Sequence, residues 1–200
     1  MKPPRIPPMA VDIIQTALSA IDGAVFSELA ACPYCGGMVI GHDYKIRQFA
    51  IVEEHEMHRI IHVRVKRFRC RQCSRLCYAD QPFYPNTRIG SPVIDLSVTL
   101  TAGMPATRAA RVLSSVGICV DRTSCLLFAR RFRQEIRTAE VFGMRLPFSV
   151  LTLSNLAARN FENGPLLGTD VLAACGFPSA YRAAPEVSFD NRHHRDEHEE

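Results

Sequence analysis

The 200-residue sequence lacks several features that would identify whole classes of protein. It has no run of about 18 apolar residues, so we expect no membrane-spanning helix and no membrane partner. Its proline-rich N-terminus, residues 1–8, lacks the apolar centre of a signal peptide. We therefore expect a cytoplasmic protein, associated with the nucleoid if it binds DNA. A Ser-His-Asp arrangement, a glycine-rich phosphate loop and an H-E-x-x-H motif are also absent, so we do not expect an enzyme.

The charge is distributed unevenly along the chain, although the net charge is only +4. Eight Lys or Arg residues lie between Arg59 and Arg88, against the single acid Asp80. Residues 104–137 contain seven arginines and two acids, whereas the end after residue 185 carries six acids and two arginines. This basic body with an acidic end indicates a polyanionic partner.

Two cysteine pairs with identical spacing are the most specific motif in the chain. Each C-x-x-C turn places two sulfurs on one knuckle, and two knuckles supply the four thiolates of a tetrahedral zinc site. Gly36 and Gly37 follow the first pair, where the backbone must often turn with positive φ. Two disulfides or scattered buried thiols are the alternative. We predict one structural Zn²⁺, bound by Cys32, Cys35, Cys70 and Cys73.

Four further cysteines need separate interpretations. Cys77 competes with Cys70 and Cys73 for two ligand places, and the x2 spacing favours the latter pair. The other three, Cys119, Cys125 and Cys175, lie in apolar, helical-looking sequence, and we expect them to be small buried thiols.

Between the knuckles the pattern changes to period two. Ile61, Val63 and Val65 alternate with polar residues, which predicts antiparallel strands over residues 38–68. The histidines of this stretch, His55, His58 and His62, are expected on a solvated strand face.

The remaining sequence has helical spacing. Ser91 and Pro92 resemble a helix cap and a first-turn proline, residues 106–116 carry one apolar stripe, and Asp121 is suited to cap a third helix with buried positions as far as Ile136. Three helices with this spacing predict a helix-turn-helix. Residues 141–182 contain a Leu-rich helical stretch, residues 151–158, and a Gly164-Pro165 break, and we expect them to extend the helical domain or to support a homodimer.

The predicted fold class is therefore α+β, with a small antiparallel zinc ribbon followed by a helix-turn-helix helical domain. The expected parts are an N-terminal helical segment (1–29), the ribbon (30–80), a linker (81–90), the helical domain (91–182) and a disordered tail rich in acids and histidine (183–200). We predict that DNA is contacted by exposed polar and basic residues of the third helix, the helix before it and the ribbon. These residues are Arg122, Thr123, Ser124, Arg130, Arg131, Arg133, Arg108, Arg111, Arg64, Lys66 and Arg67.

The order of these parts resembles the N-terminal region of zinc-ribbon insertion-sequence transposases. The resemblance rests on the CPxCG knuckle, the basic strand that ends R-F-R-C-x-x-C, a Pro-containing linker and the pattern A-x-x-L-x-x-x-G-I-x-V followed by D-R-T-S, over about residues 30–137. It implies that this region recognises the ends of the element. It also implies that a catalytic domain, with three carboxylates on two metal ions, follows it in the chain. Roughly 60 residues remain, fewer than such a nuclease core needs, so we expect no transposase activity.

Three hypotheses for function follow. The first is a DNA-binding protein, either a transcription regulator or a transposase-derived remnant without catalysis, whose partner is double-stranded DNA. The second is an adaptor that uses the ribbon and helices to dock another protein. The third is an RNA-binding protein in which aromatic residues such as Phe68 or Tyr78 stack on unpaired bases.

Overall fold

The computed structural model describes residues 6–54, 57–132, 136–160 and 166–177. Over these residues the fold is α+β, with six helices and two sheets. The helices are α1 (Pro8–Ser19), α2 (Ser91–Gly103), α3 (Ala106–Ser115), α4 (Arg122–Arg131), α5 (Phe148–Arg159) and α6 (Gly168–Ala174). The strands are β1 (Val25–Phe26), β2 (Val39–Glu54), β3 (Met57–Cys70), β4 (Leu76–Tyr78), β5 (Thr138–Val141) and β6 (Met144–Pro147).

A long antiparallel hairpin of β2 and β3 forms the centre of the larger sheet. β1 pairs with β3 in parallel, and β4 pairs with it antiparallel. The predicted alternation in β3 is confirmed, because Ile61, Val63 and Val65 are fully buried while His62 and Arg64 are exposed. The segment 1–29, predicted to be helical, contains the short strand β1 as well as α1.

Three of the helices, α2 to α4, contact one another. α2 begins one residue earlier than its sequence suggests, since Gly90 rather than Ser91 is the N-cap. A Cβ at Gly90 would lie 2.3 Å from the Phe49 ring, so only glycine fits there. α4 is capped as predicted by Asp121, whose Oδ1 accepts from the Ser124 amide at 2.8 Å.

The end of α4 corrects the sequence-based prediction. Burial was expected to continue on one helical face to Ile136, but the helix ends at Arg131 and Phe132 is its C-cap. The Phe132 ring stacks on Tyr84, with ring centroids 4.7 Å apart, and packing of this kind outweighs helical periodicity. Arg137 consequently lies outside the helix, just before β5.

One hydrophobic cluster connects the sheet to all the helices. It includes Phe49 of β2, Ile61 of β3, Ile94 of α2 and Leu113 of α3, each fully buried. The knuckle end of the ribbon is different: its separate cluster of buried residues consists of Cys32, Cys70 and Cys77, packed against partly buried Leu29, Val39 and Cys73. That end has no large apolar side chain at its centre, so it needs another source of stability.

Residues 81–90 pack closely on the sheet. The guanidinium of Arg47 donates to Gln81 Oε1 at 2.7 Å and to the Thr87 carbonyl at 2.6 Å, and it stacks on the Phe83 ring.

α1 packs on α5, and α6 lies against β1, where Leu167 forms a parallel bridge with Val25. None of the helices in the described ranges is long and apolar enough to cross a membrane.

Candidate metal centre and basic surfaces

The first knuckle is a tight turn closed by its own backbone. The Gly36 amide donates to the Cys32 carbonyl at 2.8 Å, and the Cys32 amide donates to the Gly37 carbonyl at 3.0 Å. Gly36 has φ +69°, the left-handed conformation expected for this position. A Cβ at Gly37 would lie 3.2 Å from Cys70 Sγ and still closer to Gln72, so the glycine lets the two knuckles approach each other.

The second knuckle continues directly from β3. The Cys70 amide donates to the Arg75 carbonyl at 2.9 Å, and the Ser74 amide donates back to the Cys70 carbonyl at 3.1 Å. The amides of Gln72 and Cys73 lie 3.3 and 3.5 Å from Cys70 Sγ. Backbone donors of this kind stabilise a thiolate, and the Cys73 amide is the main cause that holds the pKa of Cys70 below its usual value.

The two knuckles bring four sulfurs together. Those of Cys32, Cys35, Cys70 and Cys73 all lie within 4.8 Å of one another. Cys32 and Cys73 are 3.6 Å apart, and Cys35 and Cys70 are 3.5 Å apart. Four ligands at about 2.3 Å from a tetrahedral zinc ion would be separated by about 3.8 Å, so the cluster fits one structural Zn²⁺.

Hydrogen bonds and desolvation give these thiols different pKa values. Burial raises the pKa of Cys32, but the amides of Tyr34 and Cys35 outweigh it and lower the pKa to about 6. The Gly37 amide lowers the pKa of Cys35, yet the Cys70 thiol and burial outweigh that amide and raise it to about 12. A bound dication favours the thiolate form of every ligand and so deprotonates all four.

Cys77 lies beside the metal centre but outside the set of four. It is a buried residue of β4, and its sulfur is 3.6 Å from Cys32 Sγ and 3.8 Å from the Arg75 carbonyl. Cys125 and Cys175 are buried, as expected, whereas Cys119 is only partly buried.

Some of the predicted DNA-contacting residues are exposed and free to bind a phosphate, and others already bind groups within the protein. In the helical part, Arg108, Arg111, Arg122, Thr123 and Arg130 are exposed and Ser124 is partly buried. The described residues provide no ion-pair partner for those four arginines. On the ribbon, Arg64 is exposed and lies over the Tyr44 ring, while Lys66 is partly buried over Phe68.

Two predicted contacts are already engaged within the fold. Arg67 forms an ion pair with Asp43, and its Nε donates to Asp43 Oδ1 at 2.6 Å. Arg131 donates through Nη2 to the Pro85 carbonyl at 2.8 Å. Arg133 and the tail of residues 183–200 lie outside the described residues.

Sequence reasoning missed Leu127, which lies on the same face of α4 as Thr123 and Arg130. Its side chain is 54% exposed. The sequence could have indicated this position, because Thr123, Leu127 and Arg130 are spaced i, i+4 and i+7 and therefore share one face of a helix.

The comparisons with known proteins concern the metal centre. Residues 28–73, which are 46 of the 200 residues, match the family model of the zinc-finger of transposase IS204/IS1001/IS1096/IS1165. This match covers both knuckles and the hairpin between them, and the four-thiol cluster agrees with it, so this part of the chain is similar to a transposase zinc ribbon. No curated protein and no solved structure matches the chain.

Proposed function

We propose that the protein binds double-stranded DNA through helices α3 and α4 together with the basic strand of the ribbon. Its role is that of a transcription regulator or a transposase-derived protein without catalysis of its own. Support comes first from the match of residues 28–73 to a transposase zinc-finger, because the resemblance to such transposases implies recognition of element ends.

The observation that carries the proposal is the set of arginines on α3 and α4 that have no ion-pair partner among the described residues. Arg108 and Arg111 are three residues apart on one exposed face of α3, while Arg122 and Arg130 occupy the first and last turns of α4. Guanidinium groups of this kind bind phosphates or guanine edges. On α4, Thr123 and Leu127 offer a hydroxyl and an apolar surface suited to base edges and the thymine methyl group.

The zinc has a structural role in this proposal. Four thiolates complete a tetrahedral site and leave no position for a reactive water molecule. The metal instead replaces the apolar core that the knuckle end lacks, where buried thiols take the place of large side chains.

The experiment compares two double variants in binding to a fluorescent duplex of random sequence. Arg122→Ala/Arg130→Ala removes two proposed contacts, and Arg145→Ala/Arg159→Ala removes two exposed arginines from β6 and α5 as the matched control. We expect the first variant to weaken binding and to reduce the slope of log K against log salt by about 1.8, while the control changes little.

Other outcomes separate the alternatives. Equal effects of the two double variants would place the DNA surface elsewhere. Preference for single-stranded RNA over duplex in competition would favour the RNA-binding hypothesis. Absence of nucleic-acid binding at low salt would favour the protein adaptor, whose interface would respond weakly to salt. Sedimentation of the free protein and of the complex would reveal whether a homodimer binds.

A further inference from the structure

A second group of metal-binding side chains lies far along the hairpin from the knuckles. The ligand atoms of Glu53, His58 and Cys119 all lie within 4.8 Å of one another. They comprise one carboxylate, one imidazole and one thiol. We propose that these three residues form a second divalent-metal site, which takes Zn²⁺ and attaches the connection between α3 and α4 to the end of the hairpin.

Glu53 and His58 are brought together by the register of the hairpin. They are direct partners in the antiparallel pairing of β2 with β3. Directly opposed residues have Cβ atoms about 5 Å apart on the same face of a sheet, which suits two ligands of one ion.

Cys119 reaches the same place because the chain turns sharply after α3. The Gly117 amide donates to the Ser114 carbonyl at 2.9 Å and the Ile118 amide to the Leu113 carbonyl at 2.8 Å, the two bonds of a Schellman motif. Gly117 has φ +73°, as this motif requires.

After this turn, residues 117–119 run alongside β2 as a short antiparallel bridge. The Glu53 amide donates to the Gly117 carbonyl at 2.8 Å, and the Cys119 amide donates to the Ile51 carbonyl at 2.9 Å. Val52 and Ile118, paired in this bridge, are buried in the core. Neighbouring side chains point the other way in a pleated sheet, so Glu53 and Cys119 share the outer face. The backbone therefore fixes the Cα positions of all three ligands without a metal.

The donor set suits zinc. Thiolate, imidazole and carboxylate are its usual protein ligands, at about 2.3, 2.0 and 2.1 Å. Glu53 and His58 are exposed and Cys119 is partly buried, so the side chains have room to close around an ion. Three protein ligands leave a fourth position for water, in contrast to the closed site of four thiolates.

The test uses Co²⁺ as a probe, added to the 200-residue protein that already carries its structural zinc. His193, His194 and His198 are replaced by Ala in every sample, so that the C-terminal tail cannot bind the probe. After gel filtration, elemental analysis counts zinc and cobalt per chain, and a thiolate-to-cobalt charge-transfer band reports coordination by cysteine. We expect one zinc and one cobalt per chain, with this band present.

Three variants assign the ligands. Cys119→Ser should abolish the charge-transfer band, and His58→Ala should weaken cobalt binding by more than about tenfold. His62→Ala is the matched control, since His62 is an exposed histidine of the same strand that lies outside the three-residue group. It should bind cobalt like the parent protein.

The proposal is overturned if the parent protein holds only one metal per chain, including the case in which cobalt merely replaces zinc. It is also overturned if Cys119→Ser binds cobalt with unchanged affinity, or if His62→Ala loses as much as His58→Ala. Thermal unfolding before cobalt is added verifies that the variants are folded, so loss of binding reports on the ligands.

Discussion

At the scale of single residues, the metal centre offers five thiols for four ligand positions. Cys77 is buried and only 3.6 Å from Cys32 Sγ, as close as Cys73 is. Its exclusion follows from the mutual distances of the other four sulfurs and from the equal x2 spacing of the two knuckles. These two features identify Cys73 as a zinc ligand and Cys77 as a thiol that lies next to the site.

Replacement of single cysteines tests this assignment. Cys35→Ser or Cys73→Ser should lose the zinc and unfold the knuckle end, because three thiolates bind the ion far less tightly and no apolar core compensates. Cys77→Ser is the matched control and should retain one zinc. Native mass spectrometry measures the metal content. Zinc lost from Cys77→Ser but kept by Cys73→Ser would exchange the roles of the two residues.

Asp95 is a second residue with a testable environment. It is 5% exposed, and its carboxylate accepts from Tyr84 Oη at 2.6 Å and from Ser149 Oγ at 2.7 Å. Burial raises its pKa above the usual 3.8, and the two hydrogen bonds offset only part of that effect. The folded protein therefore holds this proton more tightly than the unfolded chain does.

We predict that the contribution of Asp95 to the free energy of unfolding falls as pH rises above 3.8 towards its raised pKa in the folded protein. The free energy of unfolding of the wild type, relative to that of Asp95→Asn, should fall as pH increases from 3.8, because the folded state binds more protons there. Urea unfolding of both proteins at a series of pH values measures the difference. Since both share the zinc site, metal loss cancels. A difference that is constant or grows with pH would contradict the assignment.

At the scale of elements, sequence signals between nearby residues predicted helices and strands well, whereas pairings between distant segments could not be predicted from the sequence. The strands between the knuckles and the cap at Asp121 depend on residues only a few positions apart, so the sequence reveals them. The parallel pairing of β1 with β3 joins distant segments and has no local signature. The knuckle ligands were predictable for the same local reason, whereas the pairing of Arg67 with Asp43 depends on the strand register.

The turn after α3 provides a prediction at this scale. Gly117→Ala should destabilise the fold by about 1 to 3 kcal/mol, because alanine at positive φ is strained and its Cβ would displace the Gln15 side chain, whose Nε2 donates to the Val116 carbonyl. Gly103→Ala is the control: no atom lies within 4 Å of its Cβ and its φ is not positive. Chemical denaturation compares the two variants. Equal stabilities would show that the left-handed turn is not required.

At the scale of the whole molecule, the zinc ribbon and the helices belong to one packed structure. The knuckle end depends on metal, while the other part of the hairpin shares its core with the helices. Metal removal should therefore disorder the knuckles and leave the helical part folded. Amide hydrogen exchange would detect this as loss of protection confined to residues near the four ligands. Global loss of protection would mean that the metal stabilises the entire chain.

Binding to duplex DNA at increasing salt tests the central claim most directly. The zinc-loaded protein and a random duplex are measured over a salt series, with zinc content determined on the same sample. If the exposed arginines of α3 and α4 neutralise phosphates, log K should fall linearly with log salt, with a slope of about −0.9 for each phosphate contacted. A fully zinc-loaded protein that binds no duplex at low salt, or binds it equally at all salt concentrations, would contradict the account.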